Sequence, residues 1–414
     1  MSDLSKIKIA DIGHTVTGKT PSSNNPEDFG SEYMFVTPSD SFDNKMMNTT
    51  ERYLSEEGVS KLLKKLLPPK SIMITCIGSA MGKATMNKTS CITNQQINSI
   101  IPSKYYNHDY VYYLIKNNYK LLRNASTGST ALPLLNKTDF DLLELYIHTN
   151  KLTQQKIASV LSALDSKIEL NKRINAELEA MAKTTYDYWF VQFDFPDKNG
   201  KPYKSSGGKM VWNEELKREI PEGWEVKKLE EIEENIITGK TPSTANENYY
   251  HGDIPFICIG DVRGNMHVVD TEIKLSKEGA ITQENKFIPK GAICVTCIAS
   301  PGLVAFATRD SQTNQQLNSI VCKNIENRLY LYFYLTDYFK YSKAKTGNTF
   351  ANMNKGDFSS ILTVKPSKNI LVEFDTLLNC CVEKILIKSL ENQQLASLRD
   401  WLLPMLMNGQ VKVN

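Results

Sequence analysis

Residues 152–190, "LTQQKIASVLSALDSKIELNKRINAELEAMAKTTYDYWF", repeat apolar positions at helical spacing. Ile157, Leu164, Asn171 and Leu178 fall seven apart, and Leu161, Ile168 and Asn175 make a parallel row. Val160, Ile174 and Met181 widen the stripe, and no Gly or Pro interrupts it. The pattern predicts an amphipathic helix of about 30 residues, roughly 45 Å long at 1.5 Å per residue. It returns near the end of the chain. Phe374, Leu377, Leu378, Cys381, Ile385, Leu395 and Leu398 take matching positions at an offset of 217, and Asn392 answers Asn175. The simplest use for two such stripes is to bury them against each other as a helical spacer. A polar Asn within a seam fixes register at some cost in stability; an Asn at the stripe's edge sits in water. The pattern alone leaves both open.

Elsewhere the periodicity is shorter. "SIMITCIG", "YMFVTPSD", "IPFICIGD" and "AICVTCIAS" are β-type runs, mixed with helical runs such as "DYVYYLIKNNYKLLRN" and "RLYLYFYLTDYFKYSKA". The fold class expected is mixed α+β, with the sheet topology left open.

The chain also repeats itself. "TGKTPSS" at 17–23 returns as "TGKTPST" at 238–244, and "CIGSAMGKA" at 76–84 as "CIASPGLVA" at 297–305. "TNQQINSI" at 93–100 returns as "TNQQLNSI" at 313–320, "ASTGST" at 125–130 as "AKTGNT", and "NKTDF" at 136–140 as "NKGDF". The offset drifts from 221 to 218, which marks two copies of one domain with small indels. The expected organisation is a globular copy over 1–150, a helix over 151–190, a linker over 191–219, a second copy over 220–370 and a second helix over 371–414. Within the linker, "DKNGKPYKSSGGKM" (197–210) is rich in Gly, Lys and Ser and reads as a flexible or exposed loop. "IPEGWEV" (220–226) opens the second half.

Composition changes the picture little. Hydrophobic residues make up 41% and charged residues 23% of the 414, ordinary values for a globular protein. No run of about 18 apolar residues suggests a membrane span, and "MSDLSKIKIADIG" lacks the apolar core of a secretion signal. A cytoplasmic location is expected. Its eight cysteines then read as reduced thiols. Cys294 and Cys297 have C-x-x-C spacing, but no second pair or His cluster completes a zinc site, and both lie in a strand-like run. The net charge of +3 does not by itself argue for nucleic acid.

"GHTVTGKT" (13–20) matches the pattern of a nucleotide-binding phosphate loop. The second copy contradicts it, because Glu234 stands where Gly13 does. Pro21 also follows Thr20 at once and discourages the helix that such a loop needs. The repeated unit is T-G-K-T-P-S, either a tight turn or a grip on a nucleic-acid phosphate.

"TGKTPSTANENYYHGDIPFICIGDV", "IPEGWEV", "QQKIASVLSALDSKIELNKRINAELEAMA" and "LASLRDWLLPMLMNG" together resemble the specificity subunits of type I restriction–modification systems. The resemblance covers essentially the whole chain. It implies two target recognition domains, each reading one half of a bipartite double-stranded DNA site, with the two helices packed antiparallel as a coiled-coil spacer. It implies a non-catalytic chain that binds no cofactor itself. Its partners would be two methyltransferase subunits that use S-adenosylmethionine to methylate adenine N6, and two motor/endonuclease subunits that use ATP and Mg2+. The residues agree: no N-P-P-Y or D-P-P-Y motif is present, and the five histidines form no triad pattern. Two other readings stay open at this stage, a duplicated protein-binding scaffold and a nucleotide hydrolase acting through Gly13–Thr20.

If the copies read different half-sites, residues common to both should hold the fold or grip phosphates, and divergent loops should read bases. The phosphate candidates are Lys19, Thr20, Ser22 and Gly128, with Lys240, Thr241, Ser243 and Gly347. Gln95, Gln96, Gln315 and Gln316 have the chemistry to address adenine edges, or else brace the domain core as a polar ladder. Ser41–Lys45 aligns with Val262–Met266, and Ser79–Lys83 with Ser300–Val304. These loops make Asn44, Lys45, Lys83, Arg263 and Asn265 the base-reading candidates. The spacer candidates are Ile157, Leu161, Leu164, Ile168, Asn175 and Leu178, facing Leu378, Cys381, Ile385, Asn392, Leu395 and Leu398.

Overall fold

A computed structural model describes residues 4–78, 80–125, 134–346 and 352–413. The chain divides into two compact units, Met1–Glu169 with Gln394–Asn414, and Leu170–Gln393. Both draw on the same two long helices, α1 (Lys151–Tyr186) and α2 (Lys368–Met407).

The first unit is built on a five-stranded sheet in the order Gly13–Thr17, Ile97–Pro102, Ile72–Thr75, Ala84–Asn87, Met46–Met47. Its pairings are antiparallel except the last, which is parallel. A three-stranded sheet orders Arg52–Leu54, Phe29–Val36, Cys91–Thr93. A ribbon of Leu4–Lys8 with Glu144–His148 adds a third element.

The second unit repeats this. Its large sheet runs Ile236–Thr238, Leu317–Ile320, Ile293–Thr296, Val304–Ala307, His267–Val268. The smaller sheet is Ile273–Leu275, Tyr250–Ile257, Gln312–Thr313, and the ribbon pairs Glu225–Lys228 with Leu362–Lys365.

The middle strands explain why sequence alternation fails to mark them. Ile72 and Ile74 face one apolar cluster, with the helix His108–Asn117, and Met73 faces another on the opposite side. Ile293 and Val295 likewise oppose Cys294. Strand side chains alternate faces, and with both faces buried the first three positions of each strand are apolar in a row. Cys294 and Cys297 therefore point into different cores. Burial pushes the Cys297 thiol up to about 11 and that of Cys294 to about 12.

Within each unit the long helices run antiparallel. In the first, Ile157 and Leu161 share a core with Leu403 and Leu406, and Arg399 donates to Asp165. In the second, Asn171 is fully buried and donates to both Glu391 and Asn392 at 3.0 Å. Asn175 donates to the Ile385 carbonyl at 3.2 Å and to Ser389 at 3.1 Å. The asparagines thus lie in the seam. Ile157, Leu161, Leu378 and Ile385 are buried, while Leu164, Ile168, Leu178, Cys381, Asn392 and Leu395 are half-buried. Leu398 lies outside the seam, as do Leu377 and Met181, all 43–54% exposed.

Two expectations need correction. The stretch 197–210 is exposed but shaped. Asp194 accepts from the backbone N–H and hydroxyl of Ser205, and Tyr203 stacks on Phe195 at 4.7 Å. It leads into a hairpin of Met210–Asn213 with Arg218–Pro221. Its flanks, Phe193, Phe195 and Trp224, join an aromatic core with Tyr186, Trp189, Phe190, Tyr330 and Phe374. The second correction is the alignment of the loops after the central strand. Gly82 and Gly302 share φ +89, and each lies under an aromatic ring, Tyr119 or Phe339. Gly78 (φ +66) corresponds to Ala299 (φ +61). The first copy therefore carries one extra residue in the 78–82 loop, and Lys83 corresponds to Leu303 rather than Val304.

Candidate nucleic-acid interface

The two repeated motifs are one device. The chain leaves strand Gly13–Thr17 and turns over the segment 93–98. The Lys19 backbone N–H donates to the Thr93 carbonyl at 2.9 Å, and Lys240 does the same to Thr313 at 2.9 Å. Thr17 donates its hydroxyl to Asn98 Oδ1 at 2.6 Å, as Thr238 does to Asn318 at 2.6 Å. Thr20 donates to Gln95 Oε1 at 2.6 Å, and Thr241 to Gln315 at 2.5 Å. Gly18 and Gly239 sit so close that an added Cβ would lie 2.1–2.2 Å from the carbonyl oxygens at 93–94 and 313–314. That approach requires glycine.

The wiring divides the Gln/Asn motif by role. Asn98 and Asn318 are buried and donate to Cys76 and Cys297 sulfur at 3.3 Å. Asn94 donates to Gln96 Oε1 at 3.1 Å, and Asn314 to Gln316 at 3.0 Å, which closes a local turn. Gln95 and Gln315 are exposed. With each amide oxygen occupied by a threonine hydroxyl, the two amide N–H donors point to other acceptors. Lys19, Lys240, Ser22 and Ser243 are exposed beside them. Each copy thus brings a cation and a hydroxyl on the turn beside an exposed amide on the segment beneath it, a donor set suited to phosphate oxygens or base acceptors. Gly128 and Gly347 lie outside the described residues.

No phosphate loop forms at Gly13–Thr20. Gly13 begins a strand, and the next helical turn is the short Pro26–Asp28.

The divergent loops place four of their candidates at the surface and one inside the domain. Asn44 is exposed. Lys83 is exposed and pairs with Asp43 at 3.1 Å. Arg263 is exposed and donates to Ser300 Oγ at 3.2 Å, and Asn265 donates to the Asp261 carbonyl at 3.1 Å. Lys45 does not face solvent: its side chain is 11% exposed, paired with Asp109 at 2.5 Å and donating to Ser162 at 2.6 Å. Its ammonium is committed inside the domain, which corrects its assignment to bases. The threonines at 17 and 238 are contributors that sequence reasoning missed. Their signal was the joint recurrence of both motifs in both copies.

The family described as the type I restriction modification DNA specificity domain matches residues 1–180 and 221–369. The type I restriction enzyme HindI specificity subunit of Haemophilus influenzae is 33% identical over 346 residues, covering 71% of this chain and 74% of that protein. The MjaIX specificity subunit of Methanocaldococcus jannaschii is 29% identical over 430 residues, 99% of this chain and 94% of its own. Among solved structures, a type I restriction–modification S subunit from M. genitalium shares the fold, with TM-score 0.58 and 15% identity over 98% of this chain and 96% of that one. A duplicated DNA-recognition protein without a catalytic role of its own is the class these features define. The chain belongs to the type I restriction modification DNA specificity domain family, as a specificity subunit. Among the described residues no helix is long and apolar enough to cross a membrane.

Proposed function

We propose that this chain reads a bipartite double-stranded DNA target, one half-site per copy, and positions the other subunits of the complex on it. One observation carries the reading. The two copies keep the same turn wiring, down to the Thr17–Asn98 and Thr238–Asn318 bonds, both at 2.6 Å. At the same place in the fold they replace Ser41-Phe42-Asp43 by Val262-Arg263-Gly264, before an asparagine common to both. A constant grip with variable loops is what two related sequences read by one scaffold require. Two methyltransferase subunits bring S-adenosylmethionine and methylate adenine N6; two motor/endonuclease subunits bring ATP and Mg2+. With a net charge of only +3, this chain leaves much of the phosphate neutralisation to those partners. DNA binding by the chain alone is then weak and strongly dependent on salt.

A base-resolution N6-methyladenine map of host DNA, with and without the gene, tests the reading. A two-part motif should lose methylation when the gene is removed. An unchanged map, with the partner methyltransferase expressed and active, refutes it.

A further inference from the structure

The two copies hold the same divergent loop by different means. In the first, Ser41–Asn44 leads into Met46–Met47, a two-residue edge strand parallel to Ala84–Asn87. Its backbone is tied there by the Met86 N–H, which donates to the Lys45 carbonyl at 2.8 Å, by the Lys88 N–H, which donates to the Met47 carbonyl at 3.2 Å, and by the Thr85 hydroxyl, which lies 3.0 Å from the Asn44 carbonyl oxygen and 3.3 Å from that of Lys45. Phe42 is buried in an apolar cluster and Asp43 pairs with Lys83, and the side chain of Lys45 adds a tie that runs deeper. It reaches Asp109 on the helix His108–Asn117 and Ser162 on α1, and its ammonium lies 5.0 Å from the ring centre of Tyr113. Tyr113 donates its hydroxyl to Asp165 on α1 at 2.5 Å, and Arg399 on α2 donates to the same carboxylate at 2.7 Å. Charged and hydroxyl groups thus chain from the end of the loop to both long helices.

The second copy lacks the ammonium and both carboxylates of this chain; its polar link to α2 is instead Arg328, which donates to Asn379 at 3.5 Å. Strand register places Met266 at the position of Lys45, since the Phe306 N–H donates to the Met266 carbonyl at 2.8 Å as Met86 does to Lys45. Met266 is buried among apolar residues. At the offset of 217 shared by the long helices, Asp165 becomes Val382 and Arg399 becomes Ala182, both buried. Ser162 becomes Asn379.

An ammonium fixed by an ion pair, a hydroxyl and a ring face has one favourable position. A methionine fills space adaptably and tolerates displacement. We infer that Lys45 is a positioning residue for specificity: it sets where Ser41–Asn44 stands against the bases of the first copy's half-site. This rests on the proposed reading that divergent loops address bases.

The test uses the full chain assembled with its methyltransferase partner. Methylation is measured on duplexes carrying single-base changes at each half-site. Exchanging Ser41–Asn44 for the residues of Val262–Asn265 first shows which half-site this loop reads. Lys45→Met, the residue the second copy uses, should then lower discrimination at that half-site by about tenfold, the scale of one good base contact, and leave the other half-site within about twofold. Lys45→Arg should restore most of the discrimination. If Lys45→Met does not fold, Ser162→Ala removes one anchor without stranding a charge and should lower discrimination at the same half-site by about threefold. Unchanged discrimination in the variant that folds, or an equal loss at both half-sites, overturns the role of Lys45. A loop exchange that leaves the methylated motif unchanged overturns the base-reading assignment itself, and this inference with it.

Discussion

Substituting Gly239 by Ala tests the close approach on which the shared turn depends. An ideal Cβ there would lie 2.2 Å from the Thr313 and Asn314 carbonyl oxygens and 2.2 Å from Thr313 Oγ1. Two of these atoms belong to the backbone, so no rotamer change relieves the overlap. The turn must lift, which stretches the Lys240 N–H to Thr313 bond of 2.9 Å and the Thr241 to Gln315 bond of 2.5 Å. Overpacking costs about 1–3 kcal/mol, and each lost hydrogen bond adds about 1 kcal/mol. The sum is roughly 3–5 kcal/mol. For a unit of this size, about 2–4 °C of Tm goes with each kcal/mol, so the transition of the second unit should fall by roughly 6–20 °C in differential scanning calorimetry. Gly260→Ala is the control, because nothing lies within 4 Å of its Cβ; it should change the same transition by about 0.5 kcal/mol or less. A Gly239→Ala protein that melts with the Gly260→Ala control refutes the account of why glycine stands in this motif.

Burial, with Arg328 nearby, lowers the pKa of His267 to about 4. The unfolded chain protonates this ring below about 6.5 and the folded chain does not, so its contribution is complete above pH 6.5 and is lost as pH falls towards 4. At about 1.4 kcal/mol per pH unit the loss approaches roughly 3 kcal/mol. The stability difference between wild type and His267→Phe should change over that window, and a difference constant with pH contradicts the burial. Burial pushes the thiols of Cys76 and Cys91 up to about 11 and 12, and Cys294 and Cys297 are equally enclosed. Iodoacetamide at pH 8 should label exposed Cys380 in the native protein and these four only after denaturation; rapid native labelling of any of the four counts against their burial. Lys19→Ala and Lys240→Ala should each reduce the salt slope of DNA binding by the assembled complex by about 1 and leave the motif unchanged. An unchanged slope removes these lysines from the phosphate contacts, and a changed motif makes them base readers.

The duplication was open to inspection because the motifs recur nearly letter for letter, and α1 because no Gly or Pro breaks its stripe. The seam was only half legible. Counting by sevens ignores the drift of about 20° per heptad in a straight helix, so Leu398 fell in the chosen row but outside the contact. Asn171 shared its row with Ile157, Leu164 and Leu178, and of the seam asparagines it is the one with no exposure at all. The partners of Lys45 were hidden for a different reason: Asp109 and Ser162 lie 64 and 117 residues away, and no local pattern links them. A loop lysine reads as solvated until the fold supplies a carboxylate. The stretch 197–210 looked flexible from its own composition, while its order comes from the aromatic residues that flank it.

The first unit is sewn from both ends of the sequence, Met1–Glu169 and Gln394–Asn414, whereas the second is one uninterrupted stretch. This sets an order of assembly during synthesis. The first unit leaves the ribosome early but waits for Leu403, Leu406 and Met407 to close its core. The second is complete once Gln393 has emerged. The domain translated first is therefore finished last, and until then it carries an uncovered apolar face. A pause or premature stop between Gln393 and Leu403 would strand that half, exposed to proteases and aggregation, with the second domain already finished.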